Sequence, residues 1–231
     1  MKTKKMLISA LLFAAVLPTK AQNSNTQSQG NSSGIPPTGY SIAISLGSST
    51  PVGSFADRAQ TGLNFNLSSE LPIKHSHFGI ALMLGGQTNG YNTSAFISAA
   101  GFSSATANNF VSDNLLVGGF ATIPVHRFSF DFRLMVGSMI CEYPNISATD
   151  YSGNTYQFTF TSEKVGAIDL GAGVRYNLSS KLTLMLNWNY ISGANATFNG
   201  TGTFDNSISV PITITKAFSV FNATWGVGWI M

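Results

Sequence analysis

Residues 225–231 form a charge-free C-terminal segment in which large apolar side chains occupy every second position. In a β-strand four of them share one face: Trp225, Val227, Trp229 and Met231. Gly226 and Gly228 lie on the opposite face. A transmembrane β-barrel turns such an apolar row toward lipid and its small or polar row toward the lumen. The segment therefore predicts the closing strand of a barrel in a bacterial outer membrane.

The same period-2 alternation occurs in eight segments of the chain. They lie at about residues 40–47, 62–71, 78–87, 111–123, 128–141, 157–177, 181–192 and 216–231. Such alternation predicts β-strands with one apolar face. The pattern is weakest at residues 111–123, because both faces of that segment are partly apolar.

Short and long connections alternate between these segments. The short ones lie near residues 72–77, 124–127 and 178–180, and the long ones near residues 48–60, 88–110, 142–156 and 193–215. Up-and-down membrane barrels have short periplasmic turns and longer extracellular loops. The sequence thus predicts an all-β fold, an eight-stranded antiparallel up-and-down transmembrane β-barrel over residues 40–231.

Aromatic residues cluster at the ends of the predicted strands. On the short-turn side these are Tyr40, Phe78, Phe128, Tyr176 and Trp229. On the long-loop side they are Trp188, Tyr190 and Phe218. Because aromatic rings favour membrane–water interfaces, the two groups predict interfacial girdles at both ends of the barrel.

The N-terminus has the pattern of a secretory signal peptide. Three lysines precede an apolar run over residues 6–17, and small residues occupy positions −3 and −1 of a cleavage site after Ala21. The run is too short to span a bilayer, which takes about 20 residues. We therefore predict a signal peptide over residues 1–21, cleaved after Ala21. Residues 22–39 are rich in Asn, Ser, Gln and Gly, a composition that predicts a disordered periplasmic tail.

Charge and cysteine content exclude several classes of protein. Charged residues make up 9% of the chain, against roughly 25% in ordinary soluble proteins. Cleavage after Ala21 removes four lysines and leaves eight basic and nine acidic residues, a net charge of −1. The basic balance of the whole chain therefore gives no support to nucleic-acid binding. The lone Cys141 excludes an internal disulfide.

These features resemble a known group of proteins. The cleavable signal before Gln22, the segment 50–55 after the first strand, the eight strands and the terminal row at 225–231 are similar to the small, porin-like outer-membrane barrels of Bacteroidetes-type bacteria. The resemblance implies insertion by the barrel-assembly machinery, with Trp225, Val227, Trp229 and Met231 as the C-terminal insertion signal. The chain departs from that pattern at Met231, where an aromatic residue is usual.

Charged residues on the inward rows of the fifth and sixth segments predict an ion network in the lumen. If these strands pair antiparallel from their short-turn ends, Asp131 lies beside Arg175, and Arg133 comes diagonally within reach of Asp169. Buried charges require such pairing. The network has two interpretations, a structural plug of the lumen or a gate or proton path, and we favour the plug.

Catalysis finds little support in the sequence. His75, His77 and His126 all lie in predicted short turns. His75 and His77 could bind a metal as an alternating pair, but no nearby carboxylate or thiol supplies a third ligand. We therefore interpret them as solvent-exposed turn residues. The long-loop rim offers acids such as Asp57, Asp113 and Glu142 but no histidine. A hydrolase or acyltransferase at this rim would need histidine and a nucleophile beside an acid. We therefore predict no catalytic residue, no metal and no cofactor.

Two functions remain after these exclusions. An eight-stranded barrel encloses a space that side chains just fill, which argues against a general porin. The first hypothesis is a non-enzymatic, plugged barrel in contact with outer-membrane lipid, with a structural role or with loops that bind an envelope protein or a glycan. The alternative is a narrow transport element or an accessory subunit of a larger outer-membrane complex. An enzyme is a third and weaker hypothesis.

Overall fold

The computed structural model describes residues 39–73, 76–205 and 207–231. The predicted signal peptide, almost all of the predicted tail and His75 lie outside the described residues. In this part of the chain thirteen β-strands follow one another. They are β1 (Ser41–Pro51), β2 (Gly62–Pro72), β3 (Phe78–Asn89), β4 (Ser104–Ala107), β5 (Phe110–Val125), β6 (Phe128–Glu142), β7 (Ile146–Thr149), β8 (Thr155–Phe160), β9 (Ser162–Asn177), β10 (Leu182–Gly193), β11 (Ala196–Phe204), β12 (Ile208–Lys216) and β13 (Ser219–Ile230).

Eight of these strands form a closed barrel in the order β1-β13-β10-β9-β6-β5-β3-β2, and every neighbouring pair is antiparallel. The closing pair runs from Ser41 opposite Ile230 to Pro51 opposite Val220. Closure pairs both edges of this eight-stranded sheet with each other. The predicted all-β, eight-stranded antiparallel barrel is confirmed.

The inward and outward rows follow the alternation of the sequence. On β6, the outward residues Phe130 to Val136 are between 41% and 56% exposed, while Asp131, Arg133 and Met135 on the same strand are buried. On β5 the inner row mixes apolar and polar side chains, since Leu116 and Phe120 are buried as well as Asn114, while Leu115 on the outer row is exposed. The ambiguous segment is therefore a barrel strand whose inner row is partly apolar.

The structure departs from the predicted sixth strand. Residues 157–177 do not form one element, because β8 ends at Phe160 and β9 begins at Ser162. The pairing of β9 with β6 stops at Ser162 opposite Glu142, where β6 also ends. The residues before Ser162 lie outside the barrel, where β8 pairs with β7 and β11.

The three longest connections form a second sheet. Strands β4, β7, β8, β11 and β12 make a five-stranded antiparallel sheet in the order β12-β11-β8-β7-β4. The helix α1 (Thr93–Ala100) precedes β4, and a short 3-10 turn (Gly53–Phe55) follows β1. Apart from residues 157–160, which it placed in the sixth strand, sequence reasoning predicted long loops here, because strands rich in Ser, Thr and Gly lack a strong hydrophobic alternation.

A cluster of aromatic rings joins this sheet to the long-loop end of the barrel. We call it the mouth cluster: Phe55, Phe110, Tyr143, Phe198 and Phe218. Its rings have neighbouring centroids 4.7 to 5.8 Å apart, and the side chains are between 0% and 6% exposed. Such pairs contribute about 0.5–1.5 kcal/mol each beyond burial. The cluster closes the long-loop end of the lumen with packed rings.

The predicted outer girdle was wrong at one position. Phe218 is 1% exposed and packs inside the mouth cluster. It directly precedes β13 and lies on the same side as the inward Val220, so the alternation of the strand directs its ring inward. Trp188 and Tyr190 do face outward, with 36% and 40% of their surface exposed.

We expect Gly226→Val to destabilise the closing seam of the barrel. A Cβ at this inward position of β13 would overlap the carbonyl oxygen of Ile44 and lie 2.7 Å from the Cβ of Ser45. Overpacking of this kind costs about 1–3 kcal/mol. The measurement is the temperature at which the compact form, seen as faster migration in SDS gels before boiling, is lost.

The matched control is Gly119→Val, since the nearest atom to a Cβ there is the carbonyl oxygen of Gly79 at 3.8 Å. Equal loss of the compact form in both variants would contradict the packing of the seam. Identical migration of the unsubstituted protein before and after boiling would contradict the barrel itself.

Candidate functional site

Four buried charged residues form an ion network in the short-turn half of the lumen. The Arg175 guanidinium donates to Asp131 Oδ2, from Nη2 at 2.8 Å and from Nε at 3.1 Å. The same Nη2 lies 2.7 Å from Glu70 Oε2. Arg133 Nη1 lies 3.8 Å from Glu70 Oε1. All four side chains are nearly inaccessible to solvent, with 1% to 5% exposed, so their charges are compensated within the lumen.

Strand geometry explains the position of each charge. The register of β6 and β9 sets Ser129 opposite Arg175, which puts Asp131 diagonally beside Arg175. Glu70 comes from β2, four strands away from β9 around the barrel. The contact between Glu70 and Arg175 therefore crosses the lumen. A side-chain bridge between opposite walls obstructs this layer of the barrel.

The structure brings only part of the predicted network together. Asp131 and Arg175 are in contact, whereas the ion pairs among the described residues do not include Arg133 with Asp169. Arg133 Nη2 instead donates to Asn187 Oδ1 at 2.9 Å. The register sets Arg133 opposite Gly171, which has no side chain, and Asp169 opposite Met135. The open space over Gly171 lets Arg133 reach across β9 to β10.

Asp169 is satisfied by a different partner. Asn189 Nδ2 donates to both of its carboxylate oxygens, at 3.1 and 2.8 Å. Sequence reasoning also missed Glu70, although the signal was present. Glu70 continues the inward row of Asn64 and Asn66 on β2, and this parity alone places its carboxylate in the lumen.

Amide side chains fill the middle of the lumen. Asn66 Nδ2 donates to Asn64 Oδ1 at 2.6 Å, and Asn222 Nδ2 donates to Gln87 Oε1 at 3.1 Å. The second bond joins β13 to β3, three strands apart around the barrel. Several buried atoms of this layer have no protein partner, among them both amide atoms of Asn114. Buried polar groups are normally satisfied, so this layer has the chemistry to hold ordered water.

The two ends of the lumen differ. The long-loop end is closed by the mouth cluster, beneath which Ile191 and Val220 are also buried. The short-turn end has a pocket of about 20 Å³ lined by residues that include Glu70, Arg175 and His77. That volume is about one water molecule. The ion network is thus close to solvent on one side and sealed on the other.

The predicted insertion signal lies on the outer surface of β13. Trp225, Trp229 and Met231 are between 58% and 66% exposed, and Val227 is half-buried between them. This placement puts the apolar row on the outer wall of the barrel, at its closing seam. Recognition of the row during insertion stays a prediction.

The described residues contain no group of three or more His, Cys, Asp or Glu side chains that could hold a metal ion. His77 and His126 lie in short turns, with Thr122 N donating to the carbonyl of His77. Within the same part of the chain, no helix has the length and apolar character needed to cross a membrane.

The five-stranded sheet has two chemically distinct faces. Its inner face carries Ile146, Phe198 and other apolar residues that pack on the mouth cluster. Its outer face, which we call the hydroxyl face, repeats a pattern of Ser, Thr or Gln at every second position. The pattern occupies residues 104–106, 147–149, 155–159, 201–203 and 213–215. The strand alternation therefore separates an anchoring face from an uncharged polar face.

A groove of about 250 Å³ lies on this sheet where β4, β7 and β8 meet. Its polar lining consists of Thr106, Asn108, Asn145, Ser147, Gln157 and Thr159, together with Ala107, Ile146 and Phe158. All six polar residues are exposed. Because Ile146 is buried in the hydrophobic core, its backbone rather than its side chain is the part available to the groove.

The turn between β7 and β8 is held by one carboxylate. Asp150 Oδ1 accepts from the backbone N–H of Ser152 at 2.8 Å and of Asn154 at 3.0 Å. Asp150 Oδ2 accepts from Asn154 Nδ2 and from the Tyr156 hydroxyl. Hydrogen bonds from Asn154 hold the pKa of Asp150 below its ordinary value. This turn fixes the pairing of the two strands that carry Ser147 and Gln157.

Solved structures with the same fold include the crystal structure of Neisserial surface protein A. That protein is 10% identical in sequence, with a TM-score of 0.52, and the match covers 83% of this chain and 97% of that protein. A major outer membrane protein from Thermus thermophilus is 14% identical with a TM-score of 0.52, over 84% of this chain and 98% of that protein. At these identities the likeness concerns the fold alone. No protein-family model and no curated protein matches the sequence.

We expect Arg175→Ala to be the most destabilising single substitution in the ion network. It leaves Glu70 and Asp131 buried without their shortest cationic contact, and breaking a buried ion pair in this way costs about 3–5 kcal/mol. Arg133→Ala costs less, since its contact to Glu70 is longer. The measurement is the urea midpoint of unfolding in detergent.

Lys181→Ala is the control, because Lys181 is exposed in the turn before β10. Unchanged midpoints in both arginine variants would contradict a structural role of the network.

Proposed function

We propose that this chain is a non-enzymatic β-barrel of a bacterial outer membrane, whose long-loop end presents a folded β-sheet to a ligand or partner outside the cell. The proposal includes export with cleavage after Ala21, contact with outer-membrane lipid and insertion by the barrel-assembly machinery. A membership among Bacteroidetes-type barrels rests on the sequence resemblance and is part of the same proposal.

The observation that carries the proposal is the mouth cluster. It buries five aromatic rings between the barrel and the sheet, so the sheet is an ordered platform rather than a set of separate loops. Binding residues are commonly held by loops on a rigid scaffold. A barrel whose apolar cluster at the long-loop end supports such a platform is suited to contact at a surface.

The outer wall supports the membrane location. Bulky residues on its strands are exposed with apolar side chains, for example Leu134 at 56%, Ile168 at 52% and Leu170 at 54%. The largest apolar patch on a soluble monomer is usually only a few hundred Å². A surface of this kind is stable when hydrocarbon surrounds it, and the closed sheet meets the requirement that backbone groups in lipid be paired internally.

The filled lumen argues against the alternative of a narrow transport element. An ion would meet the contact of Glu70 with Arg175, then the amide layer, and then the mouth cluster. Of these three layers, the amide layer is the one that favours a hydrophilic path, because it contains buried polar atoms without a protein partner. The other alternative, an accessory subunit of a larger outer-membrane complex, would use the same sheet for binding. It differs from the proposed function only in that the bound partner is another subunit of the complex.

Impermeant labelling of whole cells tests the orientation. We expect a maleimide reagent to label Thr201→Cys, which is exposed on the hydroxyl face, and not Ser180→Cys, which is exposed in the turn between β9 and β10. Cys141 is 0% exposed, so the unsubstituted protein is the unlabelled control. Labelling of Ser180→Cys without Thr201→Cys would reverse the orientation and contradict the proposal.

Planar-bilayer recording tests the plug. We expect no steady single-channel steps from the unsubstituted protein, because side chains from opposite walls meet across the lumen. The double variant Phe198→Ala and Phe218→Ala, which thins the mouth cluster but keeps the ion network, is expected to remain closed. Steady steps that Arg133→Ala alters would support transport and overturn the plugged barrel.

A further inference from the structure

The hydroxyl face forms a continuous polar row across all of its strands. Thr106 pairs with Ser147, Ser147 with Gln157, Gln157 with Thr203, and Thr203 with Ser209. Directly paired residues of antiparallel strands lie about 4.5–5.5 Å apart, so the row presents hydroxyl or amide groups at a short, regular spacing. A regular array of this kind matches a ligand that itself repeats.

The groove adds concavity and stronger hydrogen-bonding groups to the array. Asn108, Asn145 and Gln157 supply amides, which carry both donors and acceptors. Asn145 Oδ1 accepts from the backbone N–H of Phe160 at 3.2 Å, which orients the side chain and leaves its NH₂ group as the donor for a ligand. The groove therefore has at least one amide whose direction is fixed by the fold.

The chemistry of the lining selects the class of ligand. None of the nine lining residues is charged, so the groove lacks the Arg or Lys that recognises phosphate, sulfate or carboxylate. Protein interfaces depend on exposed aromatic and apolar anchors, but the large apolar side chains of this lining are covered: Phe158 is half-buried and Ile146 is buried. Ligand hydroxyl groups both donate and accept, as do the amides and hydroxyls of the groove.

We propose that the hydroxyl face binds an uncharged polysaccharide, with one stretch of the sugar chain in the groove between β4 and β8. This inference rests on the proposed function, in which the sheet faces the outside of the cell. A polymer is required because a neutral hydrogen bond adds only a few-fold to an affinity in water. Repeated contacts along one chain raise the overall affinity by avidity, provided that the spacing of the groups permits simultaneous engagement.

The test is affinity electrophoresis of the full chain, folded in detergent, in gels that contain dextran, laminarin, mannan or xylan, with heparin as the anionic comparison. We expect at least one neutral polymer to retard the protein. We also expect the retardation to be insensitive to added salt, since no charge pair is involved. Short oligosaccharides of the same sugar are expected to compete poorly.

Substitutions locate the binding. Gln157→Ala is expected to weaken the apparent affinity about fivefold, the effect of one lost hydrogen bond. Gln157→Glu keeps the shape of the side chain but removes its donors and is expected to weaken binding similarly. The control is Asn195→Ala, an exposed asparagine between β10 and β11 outside the groove. Faster migration before boiling verifies that each variant is folded.

Three results would overturn the inference. They are the absence of retardation by all four neutral polymers, retardation by heparin alone that salt abolishes, and retardation that Gln157→Ala and Gln157→Glu leave unchanged. Whole-cell labelling of Thr201→Cys separates the two proposals. A labelled sheet that binds no neutral polymer contradicts only the polysaccharide, whereas polymer binding by a sheet that whole cells do not expose contradicts only the proposed orientation.

Discussion

The backbone pairing of β1 with β13 is the constraint on which the rest of the structure depends. These strands come from opposite ends of the described chain, and their eleven residue pairs convert an eight-stranded sheet into a closed barrel. Closure at this strand number fixes a lumen that side chains fill. It also places Glu70 within reach of Arg175 on the opposite wall. A narrow, obstructed interior and an apolar outer wall are both consequences of this closure.

Side chains fill the interior of the barrel, and lipid-like apolar residues cover its outer wall. The long-loop end is therefore the part of the molecule whose surface residues are not required for packing. The mouth cluster takes four aromatic rings from the long-loop ends of barrel strands and one, Phe198, from the second sheet. The apolar inner face of the second sheet packs on this cluster and holds the sheet in place. The outer face of the sheet therefore needs no apolar side chains for stability. That division explains why a sheet can present Ser, Thr, Asn and Gln on one side and remain folded.

Much of the barrel could be predicted because strand alternation is a local property. The outward row of β6 and the inward charges Asp131 and Arg175 follow from residue parity alone. The contact partners of the charged residues were harder to predict from the sequence. Strand pairing alone suggested Asp169 as the partner of Arg133, whereas Arg133 contacts Asn187 and Glu70. Those partners come from strands that do not neighbour β6, and contacts across a lumen leave no signal in the spacing of two adjacent strands.

The sequence by itself determined that eight segments form strands with an apolar and a polar face, because a period of two residues encodes which side chains share a face. It also determined that any closed arrangement of these strands would have a crowded interior. Only the tertiary structure decided the cross-lumen contacts, the inward position of Phe218 and the folding of three long connections into one sheet. These features depend on residues far apart in the chain, whose proximity arises only when the barrel closes and brings its long-loop ends together.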